Sequence, residues 1–337
     1  MEILDWVVLI FSIGFIVLYG IWKNIKNKDL QEYFKGSNKS RWWTIGISVM
    51  ATQASAITFL STPGQAYSDG MGFIQFYFGL PFAIIIVSMF FLPIYHKLKV
   101  YTAYEFLEKR FNKKTRNLAS LLFLIQRGLA AGITIYAPAI IMSLILKWPL
   151  YLLIIIIGSL VTFYTLIGGT KAVNVTQKQQ MFVIFIGLFI AIYYIFKGIP
   201  KEFSLNEVLE IAGANGKLDI LNFDLDFKSR YTFWSGITGG LFLALSYFGT
   251  DQSQVQRYIS GKNLRESQKG LFFNAILKVP MQFLILFIGV SVFVFYQFNI
   301  SPINFNTTAL EKVRNSKFNT EFEILEQKHK EIQEEKF

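Results

Sequence analysis

The chain has 337 residues, 53% hydrophobic and 17% aromatic but only 16% charged, with a formal net charge of +11. Soluble domains average about 25% charged residues, so the deficit points to lipid as the main solvent. The absence of Cys excludes disulfides and thiolate metal sites, His96 and His329 are far apart, and no GxxxxGK[ST], GxSxG or HExxH pattern occurs, so no enzyme is expected.

A membrane crossing needs about 20 largely apolar residues at 1.5 Å rise. Eight stretches qualify: 3–22, 42–62, 71–95, 118–146, 149–167, 180–199, 232–256 and 271–297. The first follows the acidic start MEILD and precedes a basic loop with no A-x-A-like cleavage site, so it reads as a retained helix, not a signal peptide. With the N-terminus outside, the inner loops 23–41, 96–117, 168–179 and 257–270 carry six, seven, two and four Lys/Arg. The outer segments carry 12, and 11 of these lie in two long segments, 197–231 and 297–337, which weigh little in orientation. The basic excess therefore marks topology, and no nucleic-acid partner is expected.

The second span is unusual. Within ATQASAITFLSTPG (51–64) it crowds Thr52, Gln53, Ser55, Thr58, Ser61 and Thr62 at membrane depth. Small and hydroxyl residues allow close helix packing, which is one account of them. Packing alone does not explain their concentration in one span. In hydrocarbon, broken helix is tolerated only around a cavity or ion, and carbonyls flanked by hydroxyls make a hard-oxygen site suited to Na⁺.

The segment 197–231 has balanced charge and reads as an outer loop. The seventh span repeats the theme of the second. GITGGLFLALSYFGTDQSQVQRY (236–258) holds Gly236, Gly239, Gly240 and Gly249 before the polar run Thr250-Asp251-Gln252. Two interrupted spans about five helices apart point to an inverted-repeat transporter with a midplane site. Residues 298–337 form an outer charged segment, and 319–337 within it alternates acid and base as a solvated amphipathic helix or a coiled-coil partner site.

Three ionisable residues are drawn into spans: Arg127, Asp251 and Lys278. Such groups are functional candidates because burying them is expensive. Arg127 and Lys278 either snorkel to the inner surface, or one of them pairs with Asp251 across a cytoplasmic gate.

These stretches, with VYTAYEFLEKRF (100–111), TIYAPAII (134–141) and TFYTLIGGTKAV (162–173), resemble the sodium:solute symporters from residue 42 to about 297. TIYAPAII and TFYTLIGGTKAV look most like the branch carrying iodide, monocarboxylates and vitamins. The resemblance implies an all-α polytopic membrane protein with a LeuT-type inverted-repeat core and one extra leading helix, 3–22. The first five-helix repeat would be 42–199 and the start of the second 232–297. That leaves three core helices missing, so the expectation is a fragment of a longer carrier that forms a single membrane domain.

The resemblance also implies roles. Na⁺ would be held by the backbone carbonyls of Ala51 and Ala54, with the remaining ligands on a later helix. Thr58, Gln75, Tyr77, Tyr247 and Lys278 would contact the solute, with Tyr247 as its inner lid. Ala244 and Tyr77 stand where sugar carriers have their amide and acidic contacts, which argues against a sugar. Thr176-Gln177 stands where many members have Thr-Asp, which argues against a second Na⁺. The expected function is Na⁺-coupled symport of a small organic solute or anion across the plasma membrane, taken as a bacterial inner membrane. A kinase-linked membrane sensor and a non-transporting scaffold are the alternatives. The oligomeric state is not legible.

Overall fold

The computed structural model describes residues 3–22, 40–226 and 228–335. The basic loop 23–41, apart from Ser40 and Arg41, lies outside these described residues. Among them the secondary structure is helical, with one isolated bridge between Ser40 and Gly261. The helices are α1 (Ile3–Trp22), α2 (Trp42–Gln53), α3 (Ala56–Asp69), α4 (Met71–Leu98), α5 (Glu105–Arg110), α6 (Lys113–Leu146) and α7 (Leu150–Lys197). They continue with α8 (Leu205–Ala214), α9 (Phe233–Gly249), α10 (Gln252–Ile259), α11 (Leu264–Phe298), α12 (Thr307–Arg314) and α13 (Asn319–Glu334).

Five straight segments are long and apolar enough to cross a membrane: α4, α6, the two halves of α7 (Leu150–Ile167 and Val173–Lys197) and α11. The α2–α3 pair qualifies as one span bent by 62°. The two remaining expected spans correspond to α1 and to the 17-residue α9. Every expected span thus has a helix, although several boundaries shift. The inner loop expected over 168–179 is largely helical. Its turn is compressed to a kink at Gly169 (φ 56, ψ −164), where a glycine accommodates a backbone conformation that side chains resist. The seventh span ends at Gly249 and restarts at Gln252.

Polar segments outside the spans also fold. The outer loop 197–231 contains α8, started by a capping box in which Ser204 and Glu207 bond reciprocally. Those hydrogen bonds from Ser204 hold the Glu207 carboxyl below its usual value. The charged tail forms α12 and α13, and α13 buries none of its residues, as expected for a solvated helix.

Helix α11 is the hub, with buried residues along its whole length from Ser267 to Val294. It lies against α2 and α3 at almost no clearance. A Cβ on Gly270 would meet the Ile45 side chain and the Trp42 carbonyl, and one on Gly289 would meet the Pro63 carbonyl. Backbones this close are the membrane mode of packing, since lipid provides no hydrophobic drive between helices. The α4–α9 crossing is built the same way, with Gly79 against Leu241 and Gly236 against the Gln75 carbonyl. By contrast α6 leaves Leu121, Leu122, Leu124, Ile125, Leu129 and Ile133 exposed, a face that suits lipid.

Candidate functional site

The α2–α3 span breaks at Ala54 (φ −90, ψ 86) and Ser55 (φ −94, ψ 169). The break lies nine residues before Pro63, which sits inside α3. The Ala54 N–H donates to the Ala51 carbonyl at 3.0 Å, and the Thr58 N–H to the Ser55 carbonyl at 3.0 Å. Two carbonyls at the break accept from hydroxyls: Gln53 O from Thr58 Oγ1 at 3.3 Å and Thr52 O from Tyr247 at 3.5 Å. Hydroxyls thus compensate backbone that an unbroken helix would pair internally. Ala51 and Ala54 flank the break as expected, both half-buried. A carbonyl that accepts one hydrogen bond keeps a second lone pair for a cation.

Below the break a polar knot joins α2, α7 and α10. Ser48 Oγ lies 2.8 Å from Asn174 Oδ1 and 2.6 Å from Gln177 Oε1, while Gln177 Nε2 donates to Thr52 Oγ1 at 3.1 Å. Arg257 donates to Asn174 Oδ1 at 3.1 Å. Gln177 therefore spends both ends of its amide on α2 and presents no carboxylate there.

The second break, at Thr250 and Asp251, is held by side chains of neighbouring helices. Asp251 caps α10 by accepting from the Ser253 N–H at 2.9 Å, and it forms an ion pair with Arg127 of α6. The Arg127 guanidinium also lies 5.5 Å from the Tyr247 ring centre. The last carbonyls of α9 are taken by phenols, Gly249 O by Tyr95 and Phe248 O by Tyr258, both at 2.7 Å. Gln252 clamps the turn before α5, accepting from the Ala103 N–H at 2.9 Å and donating to the Tyr101 carbonyl at 3.0 Å.

Above Tyr247 lies a cavity of about 460 Å³ lined by Gln53, Tyr77, Tyr231, Ala244 and Tyr247 among others. Phe73 and Phe76 stack edge-on against Tyr231, each at 5.5 Å, on the side of the outer loop. A larger cavity, about 560 Å³, is lined chiefly by apolar and aromatic residues such as Phe90, Ile94, Leu122 and Phe123, with Thr250 of the second break and Gln126 among them.

The expected solute contacts divide. Tyr77 and Tyr247 share the cavity. Thr58 sits at the break with its hydroxyl engaged. Gln75 is 1% exposed and fully used, donating to Gly72 O and Tyr231 O at 3.2 Å and accepting from the Asn222 N–H at 3.0 Å, so it pins the outer loop and does not line the cavity. Lys278 is 1% exposed and does not reach Asp251; its Nζ lies 5.8 Å from the Tyr77 ring centre. Arg127 is thus the residue that pairs with Asp251. Gln53, Phe73 and Tyr231 are lining residues that the sequence reading did not select, although Gln53 lay in the polar run it singled out. Among the described residues no group of three or more His, Asp or Glu could hold a metal ion.

Comparison with known proteins supplies the family. Residues 33–318 match the sodium:solute symporter family. The sodium-coupled monocarboxylate transporter 2 of Bos taurus is 33% identical over 267 residues, 79% of this chain and 43% of the relative. The human sodium/iodide cotransporter is 29% identical over 280 residues, 82% of this chain and 43% of the relative. Among solved structures, a Na⁺-coupled sialic acid symporter in a substrate-bound outward-open state superposes with a TM-score of 0.84 at 28% identity. That match covers 91% of this chain and 65% of the symporter. The chain spans less than half the length of these curated relatives. On its match over residues 33–318, the chain belongs to the sodium:solute symporter family.

Proposed function

We propose that the full-length protein carries a small organic solute or anion into the cell together with Na⁺, by alternating access. One observation carries this reading: the span broken at Ala54 and Ser55 faces α9, whose Tyr247 bonds Thr52 O at the break, and a cavity lined by Gln53, Tyr77 and Tyr247 opens beside it. In this reading α2 to α7 form the first repeat, residues 42–199. Helices α9 and α11 open the second, residues 232–297, and α12 and α13 belong to an outer segment.

Na⁺ sits at the break on the carbonyls of Ala51 and Ala54. The solute occupies the cavity beside Tyr77 and Tyr247, with Thr58 at its edge. Tyr247 over Thr52 O and the Arg127–Asp251 pair close the inner side, so the conformation is outward-facing. Na⁺ drives uptake only by binding this conformation more tightly than the inward-facing one. Support comes from relatives named as sodium-coupled carriers of monocarboxylate and iodide, and from the outward-open solved neighbour. A kinase-linked sensor and a packing scaffold have no such support. The site is the plasma membrane, taken as a bacterial inner membrane, and fractionation of expressing cells checks that location.

The test is uptake of radiolabelled propionate, iodide and biotin by full-length protein in proteoliposomes under an inward Na⁺ gradient. At least one is concentrated, K⁺ does not replace Na⁺, and Tyr247→Ala abolishes the accumulation. Accumulation indifferent to Na⁺ overturns the proposal.

A further inference from the structure

The larger cavity, about 560 Å³, shares no lining residue with the one above Tyr247, and the carrier reading leaves it without a use. Its size falls in the roughly 300–1,000 Å³ range of small-molecule sites. Two facing stripes build most of it. One is Phe90, Phe91, Ile94 and Tyr95 on α4; the other is Ala119, Leu122, Phe123 and Gln126, at i, i+3, i+4 and i+7, on α6. Phe106 and Leu107 of α5 complete the wall. Two hydroxyls of the lining are already spent inside the protein: Tyr95 donates to Gly249 O at 2.7 Å and Thr250 to Ser246 O at 2.8 Å. A guest therefore meets hydrocarbon and few free hydrogen-bonding groups. Phe90, Ile94 and Leu122 are exposed, so the rim opens on an apolar surface, which in a membrane is lipid.

One end of the cavity lies beside a basic surface. Arg110 follows Leu107 and Phe106 by three and four residues, on the face of α5 that lines the cavity. Lys113 and Lys114 open α6, and the cavity stripe begins at Ala119, five residues or about 7.5 Å after Lys114. Arg116 is paired with Glu105 and Glu108. Arg110, Lys113 and Lys114 are exposed and have no carboxylate partner among the described residues. The other end lies at the second break. Gln126 and Thr250 line the cavity, and the residues that follow them, Arg127 and Asp251, form the ion pair. Gln252 accepts from the N–H of Ala103, another lining residue. The contacts that hold the break thus also hold the cavity's walls together.

We infer that this cavity takes one acyl chain of an anionic phospholipid from the inner leaflet, with the lipid phosphate on Arg110, Lys113 and Lys114. The chain covers the apolar stripes, and the basic rim selects the headgroup, as basic pockets at the cytoplasmic ends of spans do. A chain in place touches α4, α5, α6 and the break at once. Parting Arg127 from Asp251 pulls those walls apart, so the lipid binds the inner-closed conformation more tightly and raises its population. The inference goes beyond the symport reading and takes from it only that the loop 96–117 and the Arg127–Asp251 pair face inward. No bond is made or broken.

The test is photo-cross-linking of the full-length protein in phosphatidylcholine nanodiscs. The probe is phosphatidylglycerol with a diazirine on one acyl chain, and mass spectrometry locates the labels. Labels fall on the cavity stripes, at Phe90, Ile94, Leu122 or Phe123. Phosphatidylcholine bearing the same chain labels them at least about tenfold less, since each basic contact is worth about fivefold. Ala119→Trp fills the cavity and removes these labels. Arg110→Gln combined with Lys113→Gln and Lys114→Gln brings phosphatidylglycerol down to the phosphatidylcholine level, and this surface variant decides the question if Ala119→Trp folds poorly. In inside-out vesicles, phosphatidylglycerol also slows thiol labelling of a full-length protein with Ala244→Cys as its single cysteine, about fivefold, and the triple variant loses that slowing. Labels confined to the Leu121, Leu124 and Ile125 face mean a lipid annulus only, equal labels from both lipids mean no headgroup site, and unlabelled stripes mean that the rest of the full-length protein fills the cavity. Each of these overturns the inference, as does Ala244→Cys labelling indifferent to phosphatidylglycerol. The cross-link is read without Na⁺ or solute, so these outcomes leave the symport reading standing, and failure of Na⁺-driven uptake leaves the cross-link result standing.

Discussion

Replacing Asp251 by Asn tests whether the Arg127–Asp251 pair closes the inner side. Asn also caps helices well, so the Ser253 N–H bond that starts α10 survives and only the charge is lost. The Asp251 side chain is 8% exposed and that of Arg127 31%, which places the pair between the buried and surface regimes. Breaking a buried pair costs about 3–5 kcal/mol and an exposed one about 0.2–1 kcal/mol. We take about 2 kcal/mol, which shifts the inner-closed equilibrium about 30-fold toward open. Residues 1–337 have no cysteine, so once any cysteine elsewhere in the full-length protein is replaced by Ser, Ala244→Cys in the cavity gives a clean reporter there. In inside-out vesicles, an impermeant thiol reagent labels that position at least about tenfold faster when Asp251→Asn is added. Arg127→Gln on top of Asp251→Asn adds little, because the two residues act as one unit. Unchanged labelling in Asp251→Asn refutes the gate.

Four further outcomes follow from the structure. Tyr247→Phe removes the bond to Thr52 O but keeps the ring, and costs no more than about 1 kcal/mol in gate closure, read as a small rise in the same labelling. Gly46→Leu and Gly79→Val force side chains into Phe273 and Leu241 respectively, and thermal-shift assays show lost folding for both, whereas Gly128→Ala, which faces open space, is neutral. With Gln177 in place of a carboxylate, Na⁺ dependence of uptake is hyperbolic, and a sigmoidal dependence contradicts single-ion coupling. Because the Glu207 carboxyl is lowered from its ordinary 4.5, the cap on α8 stabilises fully above that pH and fades as pH falls through the lower folded value. Hydrogen exchange across α8 therefore rises only at acid pH, and Glu207→Ala raises it at neutral pH.

The spans were legible because lipid imposes one simple rule: long apolar runs, basic inner loops and polar residues only where something must be satisfied. That rule marked the hydroxyl-rich run 51–64 as a broken span, and the resemblance put the break near Ala51–Ala54; Pro63-Gly64, the strongest local breaker, rides inside α3 instead. Pro63 is accommodated because a helix in a bundle can re-satisfy one freed carbonyl, whereas the break at Ala54 and Ser55 leaves the Thr52 and Gln53 carbonyls to two hydroxyl donors, one of them from α9. That second donor is a long-range contact that no local pattern contains. The turn between the halves of α7 was misplaced for the opposite reason: Lys171, Asn174, Thr176, Gln177 and Lys178 read as loop, yet Asn174 and Gln177 are helical and bonded across to α2 and α10. Lys278 stood out by its charge, but its neighbour, the Tyr77 ring, is again a long-range contact.

The central claim is that Na⁺ at the α2–α3 break holds the outward-facing conformation. Its most direct test is the rate at which an impermeant thiol reagent, added outside, labels the Ala244→Cys variant of the full-length protein in NaCl and in choline chloride. The account predicts faster labelling in Na⁺, with the difference lost in Tyr247→Ala. Equal rates in the two salts contradict it.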